Sequence, residues 1–400
     1  MAEVKQGSTV GSQYVEGSLY YYAPNKEAPI LFAVLFLISF VFHVRQNVRY
    51  KSFKITFMHI FCALTMTAGY TLREVGAFHY TTVNIYIASM TIIYSVPPLY
   101  EMCNYQILSR LLYYVPYHSP MHPGRILTTL GGISAVVETL NGNGVSYWAN
   151  IKVSHSKQIM GLDFLKASLV VQLVVLVGFI SLTAWFHYKC QRVGPFPKAV
   201  RDVIITLYIS SVLIGIRALY RTVEYYTVKV FIYKPDMDPS SASPLIKYEA
   251  FFWVFEALLM LANSVLWNVR HPMAHLPLDS RVYLAEDGSK EIVGPGYEDL
   301  RFFVVAMVDP FDLIGLAMGR HTRKEFWKTD NVEGKDKVLD EEAGTKEEEV
   351  EREVETPVDV SGEAEGAARD KVAETVAVME ENGNSAEQVP EEIQESEVEK

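Results

Sequence analysis

Seven stretches of this chain are apolar over about the length a helix needs to cross a bilayer, and a handful of charged side chains sit inside them. The stretches are Ala28–Val44, Lys54–Leu72, Val83–Tyr105, Ile126–Tyr147, Phe164–His187, Val200–Tyr220 and Glu249–Asn268. A hydrocarbon core of about 30 Å takes roughly 20 mostly apolar residues per helix, whereas a tilted barrel strand takes about 10. In lipid every backbone N–H and C=O has to be paired internally, which leaves only helices or closed barrels. Runs of this length exclude the barrel. The expectation is an all-α membrane protein, a seven-transmembrane helix bundle over residues 28–268.

Charge divides what lies outside the bundle. The net charge of −11 joins two unlike parts: residues 331–400 hold 24 acidic and 7 basic side chains, residues 1–330 hold 23 and 29. So acidic a tail, with so few apolar residues, is expected to be disordered: a solvated segment, or a docking site for a cytoplasmic partner. Residues 269–330 are expected to form a juxtamembrane segment. Its apolar run Leu300–Gly319 is interrupted by Asp309, Pro310 and Asp312. An Asp at mid-membrane costs about 2.5–3.5 kcal/mol, so this run is read as interfacial and not as an eighth span. Residues 1–27 are polar and end near Tyr20, Tyr21 and Tyr22, which suit an interfacial aromatic belt. The first span is then an uncleaved anchor.

Basic residues in short loops give the orientation. Arg45, Arg49, Lys51 and Lys54 follow the first span, Arg110 and Arg125 the third, and Lys189, Arg192, Lys198 and Arg201 the fifth. The opposite side has Lys5, Lys26, Lys152 and Lys157, and only the loop after span six (Arg221, Lys229, Lys234, Lys247) argues the other way. The N-terminus is expected outside and the C-terminus in the cytoplasm.

Chemistry-bearing motifs are sparse. Cys62, Cys103 and Cys190 make no CxxC or Cys/His metal spacing, so neither a disulfide framework nor a zinc site is supported. No HExxH, GxSxG or Walker loop occurs, and the reading is not an enzyme. No metal, cofactor or nucleic-acid partner is expected. Pro97 and Pro98 predict a kink or break in span three, because proline removes a helix hydrogen bond and clashes one turn back. In span four, Gly131, Gly132 and the run Asn141–Gly144 allow either close helix packing or an unwound segment of the kind that faces transporter substrate sites.

The informative residues are the charges inside the spans, which are costly in lipid and turn toward the bundle interior, where they pair or line a path. Arg217, Arg221 and Glu224 in span six are spaced by four and three, which places them on one helical face. Two arginines with one glutamate need another carboxylate, and Glu101 in span three, Glu138 in span four and Glu256 in span seven are the candidates. Glu249 and Glu256 share one face of span seven, Arg73 and Glu74 end span two, and Gln172 sits among apolar neighbours in span five. Static ion pairs and a polar path for a charged headgroup or a proton both account for this set. His59, alone in span two, reads as a hydrogen-bonded core residue.

The same residues carry a resemblance. Arg217-Ala-Leu-Tyr220-Arg221-Thr-Val-Glu224, then Tyr248-Glu249 and Glu256, resembles the R-x-x-Y-R-x-x-E … E pattern of the fungal RTA-like family, also called lipid-translocating exporters. Gly69-Tyr70-x-x-Arg73-Glu74 is similar to its second-span motif, Pro98 with Tyr105 and Arg110 to its third, and Ser168-Leu169-x-x-Gln172 to its fifth. The likeness runs from about Tyr20 to about His271, with a continuation to Asp312, and leaves the acidic tail outside it. This chain departs from the family pattern at Gly131, where members commonly have Asp, at Glu138, where they have Gln, and at Ser168, where many have Gly. The resemblance implies a multi-pass fungal membrane protein that exports or flips sphingoid long-chain bases, resists sterol-like toxic compounds or takes up haem precursors. Its partners are then membrane lipids or amphipathic small molecules, and the plasma membrane is the expected location. A seven-span receptor or stress-response regulator fits the same topology, since fold does not settle function.

Overall fold

The computed structural model describes residues 15, 18–20, 22–119, 123–150, 153–193, 197–227, 243–285, 290–294 and 305. The acidic tail and, Val305 apart, the interfacial run Leu300–Gly319 lie outside the described residues. Each of the seven apolar stretches falls on a helix: α1 (Ala28–Tyr50), α2 (Phe53–Phe78), α3 (Val83–Tyr114), α4 (Pro123–Ala149), α5 (His155–Val193), α6 (Lys198–Thr227) and α7 (249–269). Five helical segments, Ala28–Tyr50, Phe53–Phe78, His155–Arg192, Lys198–Thr227 and Glu249–Ala274, are long and apolar enough to cross a membrane. The protein is a helical membrane protein.

Neighbours in sequence pack side by side from α1 to α7, and α7 returns to α1. α3 also touches α5 and α6, so it runs through the interior. An interior helix needs little lipid-facing surface, which fits the absence of α3 from the most apolar helices. The outward faces carry the apolar side chains instead. Leu31, Phe42, Val174 and Leu219 are exposed, while Ser39, His43, Asn104, Ser210 and Asn263 are buried. In a water-soluble bundle this distribution would be reversed.

Local chemistry sets the helix ends. Pro29 lies in the first turn of α1, where a missing N–H costs nothing. Lys51, at φ 48°, closes α1 in the left-handed conformation and donates its N–H to the carbonyls of Asn47 and Val48. Two residues later α2 begins, and the Thr56 hydroxyl donates to Asn47 Oδ1 at 2.9 Å, clasping the turn.

The proline and glycine expectations resolve in one contact. α3 runs through Pro97 and Pro98 without a break. Pro98 has no N–H to give to the Tyr94 carbonyl one turn earlier, and Asn141 Nδ2 of α4 donates to that carbonyl at 3.1 Å. α4 is continuous, so the unwound alternative for Asn141–Gly144 is corrected. Its glycines serve close packing: a Cβ on Gly144 would stand 2.7 Å from Leu165 Cγ, and one on Gly161 of α5 would stand 2.6 Å from the Trp148 nitrogen.

Among the described residues one element lies outside the helices, and two further expectations are revised. Val282–Leu284 and Glu291–Val293 pair as a short antiparallel hairpin. It docks under the end of α3, where Arg110 donates to the carbonyls of Asp279 (2.8 Å), Val282 (3.1 Å) and Pro277 (3.3 Å), and Tyr114 donates to Glu291 Oε1 (2.7 Å). Arg110 is therefore a buried anchor and not a loop cation. Tyr20 and Tyr22 are also buried, because the segment before α1 folds over the bundle end and Leu19 N–H donates to the Tyr80 carbonyl. They do not form an interfacial belt.

Candidate functional site

α6 and α7 meet through charge. Arg217 Nε lies 3.0 and 2.9 Å from the two Glu256 oxygens, and Arg221 Nε donates to Glu256 Oε2 at 2.6 Å. Arg221 Nη1 also reaches Glu224 Oε2 at 2.5 Å. Glu256 is 0% exposed and both arginines are 2% exposed. Away from water a lone guanidinium is expensive, so two cations sharing one carboxylate need the second, which Glu224 supplies one turn along. The Tyr94 ring lies 4.2 Å from Arg221 Cζ, adding its negative face to the site.

A second pair stands at the same end of the bundle. Arg73 Nη2 of α2 lies 3.2 Å from Glu249 Oε1, and the other Glu249 oxygen accepts the Asn25 N–H at 2.9 Å. The Arg73 guanidinium carbon lies 3.9 Å from the Phe252 ring centroid, 5.1 Å from Trp253 and 4.9 Å from Tyr20. One turn past Glu249 and including Glu256, α7 opens into a π-helical turn over Trp253–Leu258. Such turns insert one residue into the helix and recur at functional sites.

The remaining predicted residues separate into three groups. Glu101 is 1% exposed and accepts from Gln172 Nε2 (2.7 Å) and from the Tyr105 hydroxyl (3.1 Å), joining α3 to α5. Among the described residues it has no salt bridge. Glu138 is half-buried and its Oε1 has no partner, so it does not answer the span-six arginines; Glu256 does. Glu74 makes no salt bridge to Arg73 among the described residues and has one buried oxygen unpartnered.

Sequence reasoning missed several members. Tyr94, Phe252 and Trp253 are aromatic residues in apolar runs and give no signal apart from their number. The chain before α1 contributes Asn25 and Tyr20, which nothing in its polarity announces. Asn104 and Asn263 were findable as lone amides in apolar stretches: both hydrogen-bond Ser210, at 2.9 and 2.7 Å, and Trp267 Nε1 donates to the same hydroxyl at 3.3 Å. Nearer the far end, Ser264 bonds Ser39 at 2.7 Å and His43 at 3.3 Å. His59 is a buried ring against His43, Tyr100 and Trp267, beside the Cys103 thiol, as a core histidine would be.

Polar groups thus run down the interior of α1, α2, α3, α6 and α7, while the outer faces stay apolar. This arrangement offers charged and hydrogen-bonding groups to a polar headgroup. Among the described residues no three His, Cys, Asp or Glu side chains are grouped to hold a metal.

Comparison with known proteins follows the same residues. A family profile described as RTA1 like protein matches residues 59–278. The lipid-translocating exporter-like protein RTA1 of Leptosphaeria maculans is 43% identical over 296 residues, covering 71% of this chain and 57% of the relative, so this chain spans a little over half of that protein's length. The protein of the same name from Ajellomyces capsulatus is 27% identical, covering 58% of this chain and 73% of its own. The probable lipid transporter atnI of Emericella nidulans is 20% identical, covering 64% and 68%. No solved structure matches. The family profile covers more than half of the chain, including both buried arginine–glutamate networks, and the protein belongs to the RTA1-like family.

Proposed function

We propose that this protein moves lipids or amphipathic toxic compounds across a membrane, with the polar headgroup travelling through the bundle interior. The observation that carries the reading is the series of buried charged and polar side chains from Arg73 and Glu249, through Arg217, Arg221 and Glu256, to Asn104, Ser210 and Asn263. Side chains of this kind are rare in membrane helices and mark substrate or ion paths. The names of the relatives, a lipid-translocating exporter-like protein and a probable lipid transporter, support the same class.

In this reading all seven helices cross the bilayer, with the N-terminus outside and the C-terminus and acidic tail in the cytoplasm. α3 and α4, the two least apolar, do so largely shielded by their neighbours. The plasma membrane is the proposed location, and the chain acts as a transporter without enzymatic chemistry. The candidate substrates are sphingoid long-chain base-like or sterol-like molecules. Glu101 and Glu138 lie inside the bundle and make no salt bridge among the described residues, so they are the proposed contacts for an amine.

Purified protein in liposomes tests this. A fluorescent long-chain base added outside should become protected from a membrane-impermeant quencher faster than in protein-free liposomes. Equal rates with and without protein, alongside saturable binding, would replace translocation with the receptor or regulator reading.

A further inference from the structure

Several buried hydrogen-bond donors at the arginine–glutamate end of the bundle are unmet among the described residues. The Tyr70 hydroxyl, Arg73 Nε, Arg221 Nη2 and Trp253 Nε1 are buried and have no acceptor among the described residues. Tyr70 is 0% exposed, Arg73 1% and Arg221 2%, so no outer solvent reaches these groups. Each such donor left unmet costs about 1–3 kcal/mol, more when charged. Four of them in one region call for a partner.

They are gathered around two rings of the π-helical turn and its approach. The guanidinium carbons of Arg73 and Arg221 lie 3.9 and 5.6 Å from the Phe252 centroid. The Tyr70 ring lies 6.1 Å from Trp253, and the Arg73 guanidinium 5.1 Å from it. Tyr70 is also within electrostatic reach of Arg73, Arg217, Arg221 and Glu256. The local carboxylates are already engaged: Glu256 by Arg217 and Arg221, Glu249 by Arg73 and Asn25, Glu224 by Arg221. Three arginines against three glutamates leave the region neutral overall, so an incoming anion meets unused N–H and O–H groups without a net negative field.

We infer that Tyr70, Arg73, Arg221 and Trp253 form a binding site for an oxyanion, the phosphate or carboxylate of an amphipathic molecule's headgroup. A ligand rich in acceptors and poor in donors suits these groups, whereas a protonated amine, which only donates, does not. Arginine matches such oxygens with parallel N–H bonds, and tyrosine and tryptophan supply one directional donor each. The surrounding rings of Phe252, Phe32 and Tyr94 offer an apolar wall to the chain attached to the headgroup. This site deepens the translocation reading by naming a headgroup chemistry, and it is distinct from the carboxylates Glu101 and Glu138, which suit a cation.

The test measures binding to the full-length protein in a nonionic detergent, with dodecyl phosphate, dodecanol, dodecylamine and sodium phosphate as probes. Dodecyl phosphate is expected to bind saturably and raise the melting temperature, well ahead of dodecanol. Tyr70→Phe keeps the ring that stacks on Phe36 and removes only the hydroxyl. It should weaken dodecyl phosphate roughly tenfold, about 1.4 kcal/mol, leave dodecylamine unchanged, and not lower the melting temperature of the unliganded protein. Trp253→Phe should act in the same direction. Sodium phosphate binding as tightly, with the same dependence on Tyr70, keeps the oxyanion site and assigns it a soluble ligand instead of a lipid. Dodecanol binding as tightly as dodecyl phosphate, no saturable oxyanion binding, or binding indifferent to both substitutions would overturn the site and leave water as the partner of these donors. The assay needs no transport, so its failure is separable from failure of the liposome experiment.

Discussion

At the scale of single residues, the glutamates inside the bundle are not equivalent. Glu256 holds two arginines, with 0% of it exposed, whereas Glu138 holds none and keeps an unpartnered oxygen. Glu256→Gln leaves Arg217 and Arg221 buried with one carboxylate between them, and breaking a buried pair this way costs about 3–5 kcal/mol. Glu138→Gln keeps the shape and hydrogen-bonding capacity of a group that makes no salt bridge among the described residues. The first substitution should lower the melting temperature in detergent sharply and affect every substrate alike. The second should leave melting nearly unchanged and slow a cationic lipid in the liposome assay far more than a neutral one. A destabilised Glu138→Gln protein with equal losses for both lipids would return Glu138 to a structural role. Sequence spacing was enough to place Arg217, Arg221 and Glu224 on one face and to name Glu256 among their candidate partners. It was not enough to choose Glu256 over Glu138 or Glu101, because that choice depends on how α6 is rotated against α3, α4 and α7.

At the scale of elements, the π-helical turn of α7 sets the register between the two ion-pair networks. Each residue advances a helix by about 100°, so removing one from Trp253–Leu258 turns the 249–252 segment away from its partners while Glu256 stays in place. Val254 is the residue to delete, since it is exposed and its side chain holds nothing in the core. The deletion should detach Glu249 from Arg73, lower the melting temperature, and abolish the stability difference between Arg73 and Arg73→Met proteins. Unchanged melting would mean the extra residue has no part in the pairing. Nothing in the amino-acid order marks this turn. The proline pair of α3 was visible in the sequence, but the compensating donor, Asn141 on α4, is a tertiary fact: an amide that reads as a helix breaker is what satisfies the carbonyl the proline frees.

At the scale of the whole molecule, hydropathy located every long helix, because lipid imposes length and apolarity on each span independently of its neighbours. It located α3 and α4 least clearly; α3 is sheltered inside the bundle, where neighbours replace lipid as solvent, and α4 packs between α3 and α5. The folded segment before α1 and the hairpin on Arg110 were not legible, since both are held by contacts far apart in the chain, Asn25 with Glu249 and Arg110 with Val282. These contacts close the two ends of a bundle whose exterior is apolar and whose interior sets buried charged and polar side chains among two apolar clusters, and the account stands on those polar groups being where a headgroup crosses. The most direct test is an electron cryomicroscopy structure of the protein in lipid nanodiscs supplied with dodecyl phosphate or a long-chain base. The account predicts headgroup density among Tyr70, Arg73, Arg221 and Trp253, or beside Glu101 and Glu138, with the alkyl chain leaving between helices. Lipid density confined to the outer apolar faces, around an interior holding only protein and water, would contradict it.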